Sequence, residues 1–268
     1  MLKRKKRLHW FEISSMLVLA IVAFWIGACI LTIIVLGMPA LVRARGSKEL
    51  WMALYLSLKT ATLSTFICGL LAIPSAYALT QIEWPGKKII RMLVEMPLSL
   101  PYLLLGLCLL LLFSTPMGKW LKECGFKVVF DEKGIIIAQC FVNLPFVIKL
   151  ICNVFNEIDP RMIQVSKSLG ADQWIRFKTI IVPLTQNAIL AALLLAWSRA
   201  LGEFGATLML VGVTRMKTET LPASIYLNVS TGDNQMAMAS AILLLLLSFI
   251  SSAITQYYSQ KQKKRVRM

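Results

Sequence analysis

The sequence predicts an all-α, polytopic integral membrane protein with six transmembrane helices, and three observations carry that prediction. Of 268 residues, 57% are hydrophobic and only 16% charged, whereas soluble domains carry about 25% charged residues. The mean hydropathy is +0.71. The charges are also clumped: no Asp, Glu, Lys or Arg occurs in 13–42, 60–82, 96–118, 179–198 or 234–260. A helix needs about 20 apolar residues, at about 1.5 Å of rise each, to cross the hydrocarbon core. A sixth run, 134–148, is interrupted by Lys149 and resumes over 151–155, so Lys149 is expected near an end of its span with its stem snorkelling outward. A soluble core could hold one such run, but not six.

The first run follows Lys3-Arg4-Lys5-Lys6-Arg7 and so imitates a signal peptide. A signal's apolar region is only about 7–15 residues. This run is thirty residues long and ends in Gly37-Met38-Pro39-Ala40 without a cleavage pattern, so a retained first span is expected. The expected organisation is a basic tail plus first span over 1–49, a membrane core over 50–258 and a second basic tail over 259–268.

The net charge of +16 would suggest nucleic acid in a soluble protein; between apolar spans it reports flanks held at an anionic membrane face. With six spans both tails share a side. That side holds eighteen Lys and Arg (1–12, 83–95, 149–178, 261–267), and the other eleven (43–59, 119–133, 199–217). The positive-inside rule then places both tails in the cytoplasm of a cell-membrane protein. Six cysteines are scattered without C-x-x-C spacing and only Cys124 falls in an outer loop, so apolar fillers are expected rather than disulfides.

Several chemistries are excluded. His9 is the only histidine, which removes a Ser-His-Asp triad and the histidine-based zinc patterns. No G-x-x-x-x-G-K-[ST] occurs, so the chain has no P-loop of its own for ATP. The span interiors lack the paired carboxylates an embedded enzyme would use. No cofactor or metal site is expected, and function is sought in what passes through and what docks on the cytoplasmic loops.

The loop of about 157–183 carries helix punctuation. Asp159-Pro160 reads as an N-cap followed by proline at the first helical position. A short helix is expected from Pro160 to Leu169, with Gly170 as a left-handed C-cap. A second pattern begins near Asp172 (Trp174, Ile175, Phe177, Ile180, Ile181) and reaches Pro183. On these features alone an interfacial amphipathic connector would suffice. Gln164-Val165-Ser166-Lys167-Ser168-Leu169-Gly170, nine residues, then Ile180-Ile181-Val182-Pro183 resembles the "EAA" loop of binding-protein-dependent ABC importer permeases, E-A-A-x-x-x-G, nine residues, I-x-L-P. Gln164 replaces the glutamate, Val165 and Ser166 the alanines, and Val182 the leucine. The resemblance implies a type I ABC importer permease fold. It also implies an ATPase-coupling helix (Gln164, Val165, Ser166, Lys167, Leu169, Gly170, closed by Pro183) seated in a groove of a P-loop ATPase subunit.

The second segment follows the fifth charge-free run: Arg199, Gly202, Glu203, Phe204, Gly205 and Thr207. Arg199 and Glu203 are four apart, so on one helix they share a face and could pair. They could instead, or also, border a translocation path or gate, with Gly202 and Gly205 permitting close backbone approach. Between Phe204 and Gly232, Thr220-Leu221-Pro222 and Ser224-Ile225-Tyr226 suggest an interfacial or half-inserted segment on the outer side. Residues 198–240 resemble the stretch shared by molybdate, tungstate and sulfate permeases, and Gly205-Ala206-Thr207 with Thr220-Leu221-Pro222-x-x-Ile225-Tyr226 is most similar to the molybdate branch. This resemblance implies oxyanion import, most closely of molybdate, with tungstate, sulfate and thiosulfate as alternatives. The implied partners are ATPase subunits, an extracytoplasmic substrate-binding protein, a second copy in a homodimer, and membrane lipids, but not nucleic acid. The rival from another class is an ion-gradient-driven secondary transporter, which usually carries carboxylates within spans or broken helices in matched halves.

Overall fold

The computed structural model of the chain describes residues 10–266; positions 3–7 and Arg267, counted above in the basic tails, lie outside the described residues. Twelve helices follow in order among them: α1 (Trp10–Ala44), α2 (Lys48–Gln81), α3 (Lys87–Glu95), α4 (Tyr102–Ser114), α5 (Pro116–Glu123), α6 (Glu132–Asn156), α7 (Pro160–Ser168), α8 (Gln173–Arg176), α9 (Val182–Leu201), α10 (Gly205–Val211), α11 (Leu221–Ser230) and α12 (Asn234–Val266). No strand occurs among the described residues. Helices α1, α2, α6 and α12 are long and apolar enough to cross a membrane, as is α8–α9 joined through the wide turn Phe177–Ile181.

The sixth candidate span is a bent pair. Helix α3 continues as a tight turn, Met96–Ser99, and meets α4 at 114°. The run 96–118 is thus divided, for a local reason. Leu100 precedes Pro101 and is extended at ψ 145°, the conformation that a following proline imposes. At the other end Thr115 is extended before Pro116, which opens α5. The thirteen residues of α4 reach only about 20 Å.

Helices in lipid gain nothing from burying apolar surface against each other, so close backbone approach over small residues holds them together. Helix α2 shows this directly. Ala53, Ser57, Ala61, Ser64, Cys68, Ala72 and Ala76 recur at three- and four-residue spacing, and all are buried. This stripe packs on α6 and α9; around its lower half the core includes Val147, Ile151, Phe155, Ile189, Ala192 and Ala196. Large apolar side chains such as Phe66, Leu70 and Leu71 point away from it and are exposed, as suits a lipid-facing surface. A second cluster joins α4, α6 and α10 through Leu105, Leu109, Ile135, Val142, Ala206 and Leu210.

Gly106 marks the tightest approach of α4 to α10. A Cβ there would lie 2.6 Å from the Ala206 carbonyl oxygen and 2.7 Å from its Cα. Both are backbone atoms, so no rotamer change relieves the clash. We expect Gly106→Ala to destabilise the bundle by about 1–3 kcal/mol, read as a lower melting temperature of the purified permease in detergent.

Candidate translocation and coupling sites

The site begins where α9 stops. Gly202 N–H reaches the Ser198 carbonyl at 3.4 Å and Glu203 N–H the Ala200 carbonyl at 3.2 Å, closing the last turn. The end is tied to its neighbours by Gln139, an amide buried within α6. Its Nε2 donates to the Ala200 carbonyl (3.0 Å) and to Thr60 Oγ1 (3.4 Å), while its Oε1 accepts from Ser64 Oγ (3.0 Å). Three helices therefore meet on one side chain. The sequence reading missed Gln139, although a Gln and an Asn at four-residue spacing (Gln139, Asn143) inside an apolar span were the available signal.

Past this break the structure corrects the expected Arg199–Glu203 pair. The residues do not share a helix, because α9 ends at Leu201. Glu203 instead folds over the start of α10: Oε1 accepts the Ala206 N–H at 2.8 Å and Oε2 the Thr207 N–H at 3.2 Å. The carboxylate is buried and supplies acceptors for donors that a helix N-terminus leaves without partners, where its negative charge is also favoured. Thr207 Oγ1 donates to the Phe204 carbonyl at 2.9 Å, and the Phe204 and Tyr226 rings lie 5.2 Å apart. A Cβ on Gly205 would sit 3.0 Å from Tyr102 Cβ, so this residue does permit close approach; Gly202 has no such neighbour nearer than 3.9 Å.

Arg199 turns the other way. Its guanidinium donates to the Tyr102 hydroxyl, lies 4.4 Å from the centroid of Phe146 and 5.5 Å from that of Tyr102, and its Nε has no hydrogen-bond partner. None of the four ion pairs among the described residues includes it. Stacking on aromatic faces stabilises a cation by about 0.5–2 kcal/mol without neutralising it. The result is a positive charge contacting α4 and α6, with hydrogen-bonding capacity unspent.

The chain 212–230 is pinned rather than loose. Leu221 N–H donates to Ser57 Oγ of α2 (2.7 Å), Asn228 Nδ2 to Ser224 Oγ (3.1 Å), and Ser240 Oγ of α12 to Ser224 Oγ (3.1 Å). Arg215 bridges Asn228 and Glu49 at the start of α2. Of the unwound stretch before α11, 218–220 is buried, while 214–217 is exposed.

The loop after α6 forms the expected elbow. Asp159 Oδ1 accepts the Arg161 N–H at 2.8 Å and opens α7. Gly170 is left-handed at φ +79°, with its N–H on the Lys167 carbonyl and the Ala171 N–H on the Ser166 carbonyl, both at 3.0 Å. These are the two bonds of a Schellman cap. Asp172 Oδ1 then accepts the Ile175 N–H at 2.7 Å to start α8. The Tyr77 hydroxyl donates to the Gln173 carbonyl, and Tyr77 packs edge-on against Phe177, fastening the elbow to α2. Gln164, Val165, Lys167 and Leu169 are exposed, Ser166 is buried, and Pro183 is the second residue of α9. Leu169 is 81% exposed and Val165 59%, so the elbow presents apolar side chains outward on a helix rich in polar residues.

The fold and these two sites define a class: a multi-pass membrane protein whose bundle carries a helical elbow at one end and a helix break at which the buried Glu203 caps the next helix. The chain belongs to the binding-protein-dependent transport system inner membrane component family, which it matches over residues 67–264. It is 31% identical to the sulfate transport system permease protein CysT of Escherichia coli (strain K12) over 198 residues, 72% of each chain. It is 32% identical to the molybdenum transport system permease protein ModB of Haemophilus influenzae over 218 residues, 80% of this chain and 95% of that one. Among solved structures it resembles the bacterial alginate ABC transporter in complex with alginate pentasaccharide-bound periplasmic protein (TM-score 0.70, 15% identity, 95% of this chain and 94% of that chain). It also resembles the MetNI methionine ABC transporter in an inward-facing conformation (TM-score 0.57, 17% identity, 82% and 97%). The fold is that of a type I ABC importer permease.

Proposed function

We propose that this permease carries a tetrahedral oxyanion into the cytoplasm, molybdate first and sulfate as the closest competitor. ATP is hydrolysed on separate subunits, and a binding protein delivers the cargo. The observation that carries the reading is Arg199: a cation at the broken end of α9, stacked on Phe146 and bonded to Tyr102, with no carboxylate beside it. A dianion crossing a low-dielectric path requires donors that compensate its lost hydration, but a deep well of several cations would hold it too tightly for release. One guanidinium, already partly engaged by an aromatic hydroxyl, fits that compromise. Relatives named as sulfate and molybdenum permeases support the cargo class, and Gly205-Ala206-Thr207 with Thr220-Leu221-Pro222 supports molybdate within it. The permease acts as a homodimer, and the elbow at 160–170 transmits nucleotide closure to α9. Glu203 positions α10 against α4 and so holds the neighbouring Tyr102 face in place.

The test is reconstitution of the permease with its ATPase and binding protein in vesicles. ATP-dependent molybdate uptake that exceeds sulfate uptake supports the proposal. Uptake driven by an ion gradient without the ATPase would establish the secondary-transporter reading instead.

The orientation places both termini in the cytoplasm and 119–133 outside. Cys124, exposed at the end of α5, should then react with a membrane-impermeant maleimide in intact cells carrying the variant in which the other five cysteines are alanine. Labelling only after permeabilisation would reverse the orientation.

A further inference from the structure

At the outer end of α4 the chain forms a cavity of about 400 Å³ whose walls include Phe113, Val128 and Phe130 and whose rim carries Lys119, Lys122 and Lys127. We propose that this cavity binds the headgroup of an anionic phospholipid, with the phosphodiester on the three lysines and the first part of the acyl region on the apolar wall.

Four observations point to that chemistry. The lysines are exposed, and none takes part in an ion pair among the described residues. The acidic groups nearby are spent or turned elsewhere: Glu132 pairs with Lys59 at 2.7 Å, Asp131 accepts the Lys133 N–H as the cap of α6, and Glu123 does not line the cavity. The remaining nearby cation, Lys133, donates to the Gly125 carbonyl and lies over the Phe126 ring. Helix α5 itself follows α4 after a single residue and is amphipathic, and besides Lys119 and Lys122 it carries Trp120 and Met117, which are 59% and 51% exposed. Tryptophan and lysine together on a short helix at the end of a span are the side chains that settle at headgroup depth.

The apolar wall decides between anions. A small hydrated oxyanion gains nothing from Phe113 and Val128 and would lose hydration against them. A phospholipid satisfies both surfaces at once. Each lysine near an anionic lipid strengthens binding on the order of fivefold, so three should give a preference easily separated from none.

The experiment uses the full permease in phosphatidylcholine vesicles doped with brominated phosphatidylglycerol or, at the same fraction, brominated phosphatidylcholine. The Trp120 contribution is taken as the difference in quenching between the native chain and Trp120→Phe. We expect phosphatidylglycerol to quench Trp120 at least about tenfold more effectively. The preference should be abolished in Lys119→Gln/Lys122→Gln/Lys127→Gln and retained with arginine at the same positions. The single Lys→Gln variants should each lose part of it, which keeps the test readable should the triple variant fold poorly. Equal quenching by the two lipids would overturn the proposal, as would a preference that survives the triple change. Recovery of Trp120 emission on adding sulfate, but not chloride at equal ionic strength, would assign the cavity to a free oxyanion instead. Recovery on adding purified binding protein would make it a protein-docking surface.

Discussion

Arg199→Leu is expected to lower oxyanion uptake by roughly ten- to a hundredfold while leaving the yield of assembled permease close to that of the native chain. A hydrogen bond to a charged group is worth about 1.5–3 kcal/mol, and the difference falls on the crossing anion because no protein carboxylate shares the guanidinium. Removing the side chain costs the fold its aromatic stacking on Phe146 and Tyr102 and one hydrogen bond to the Tyr102 hydroxyl, but no ion pair. Arg199→Lys keeps the charge but not the planar face, so it should transport at an intermediate rate. Glu203→Gln is expected to act separately, by weakening the cap over Ala206 and Thr207 and lowering the folded fraction. The double variant should show the two effects combined without mutual rescue, since the groups do not touch. Native uptake by Arg199→Leu, measured in vesicles at equal permease content, would remove Arg199 from the path. Rescue of yield by the double change would restore a direct pair.

Gly170→Val is expected to separate the permease from its ATPase. The elbow needs φ near +79° at this residue, which costs a β-branched side chain on the order of 1–2 kcal/mol. That energy corresponds to roughly a five- to thirtyfold smaller population of the formed elbow. No atom lies within 4 Å of a Cβ built on Gly170, so the effect is conformational and the spans themselves should insert and pack normally. ATPase stimulation by the binding protein, and retention of the ATPase through purification, should both drop by a comparable factor. Gly170→Asn, which tolerates the left-handed region, should keep most of both. A Gly170→Val permease that still retains and stimulates its ATPase would end the coupling assignment for this elbow.

The elbow was legible in the sequence because every device that makes it is local. Asp159-Pro160 and Gly170 act on donors and acceptors within a few residues, and each appears in the structure in that role, while Asp172, where the second pattern begins, caps α8 in the same local way. The bend at 114° was not foreseen, although Pro97, Pro101 and Pro116 stood in plain view. Apolar composition outweighed them, since a run without charge reads the same whether its helix is straight or broken.

The Arg199 and Glu203 side chains show the complementary case. Four-residue spacing predicts a shared face only while the helix continues, and two residues after Arg199 it stops. The partner of Arg199 is Tyr102, 97 residues away, and the amide that ties down the helix end is Gln139. By itself the sequence determined that the chain lives in a membrane, how many times its apolar runs can cross, and where one helical elbow is punctuated. These properties follow from hydropathy summed over about 20 residues and from caps acting over three or four. Which charge stays free, which carboxylate becomes a cap and which helix is broken were decided only by the tertiary structure, because in a water-poor interior each polar group takes whichever partner the packing of distant helices brings within reach.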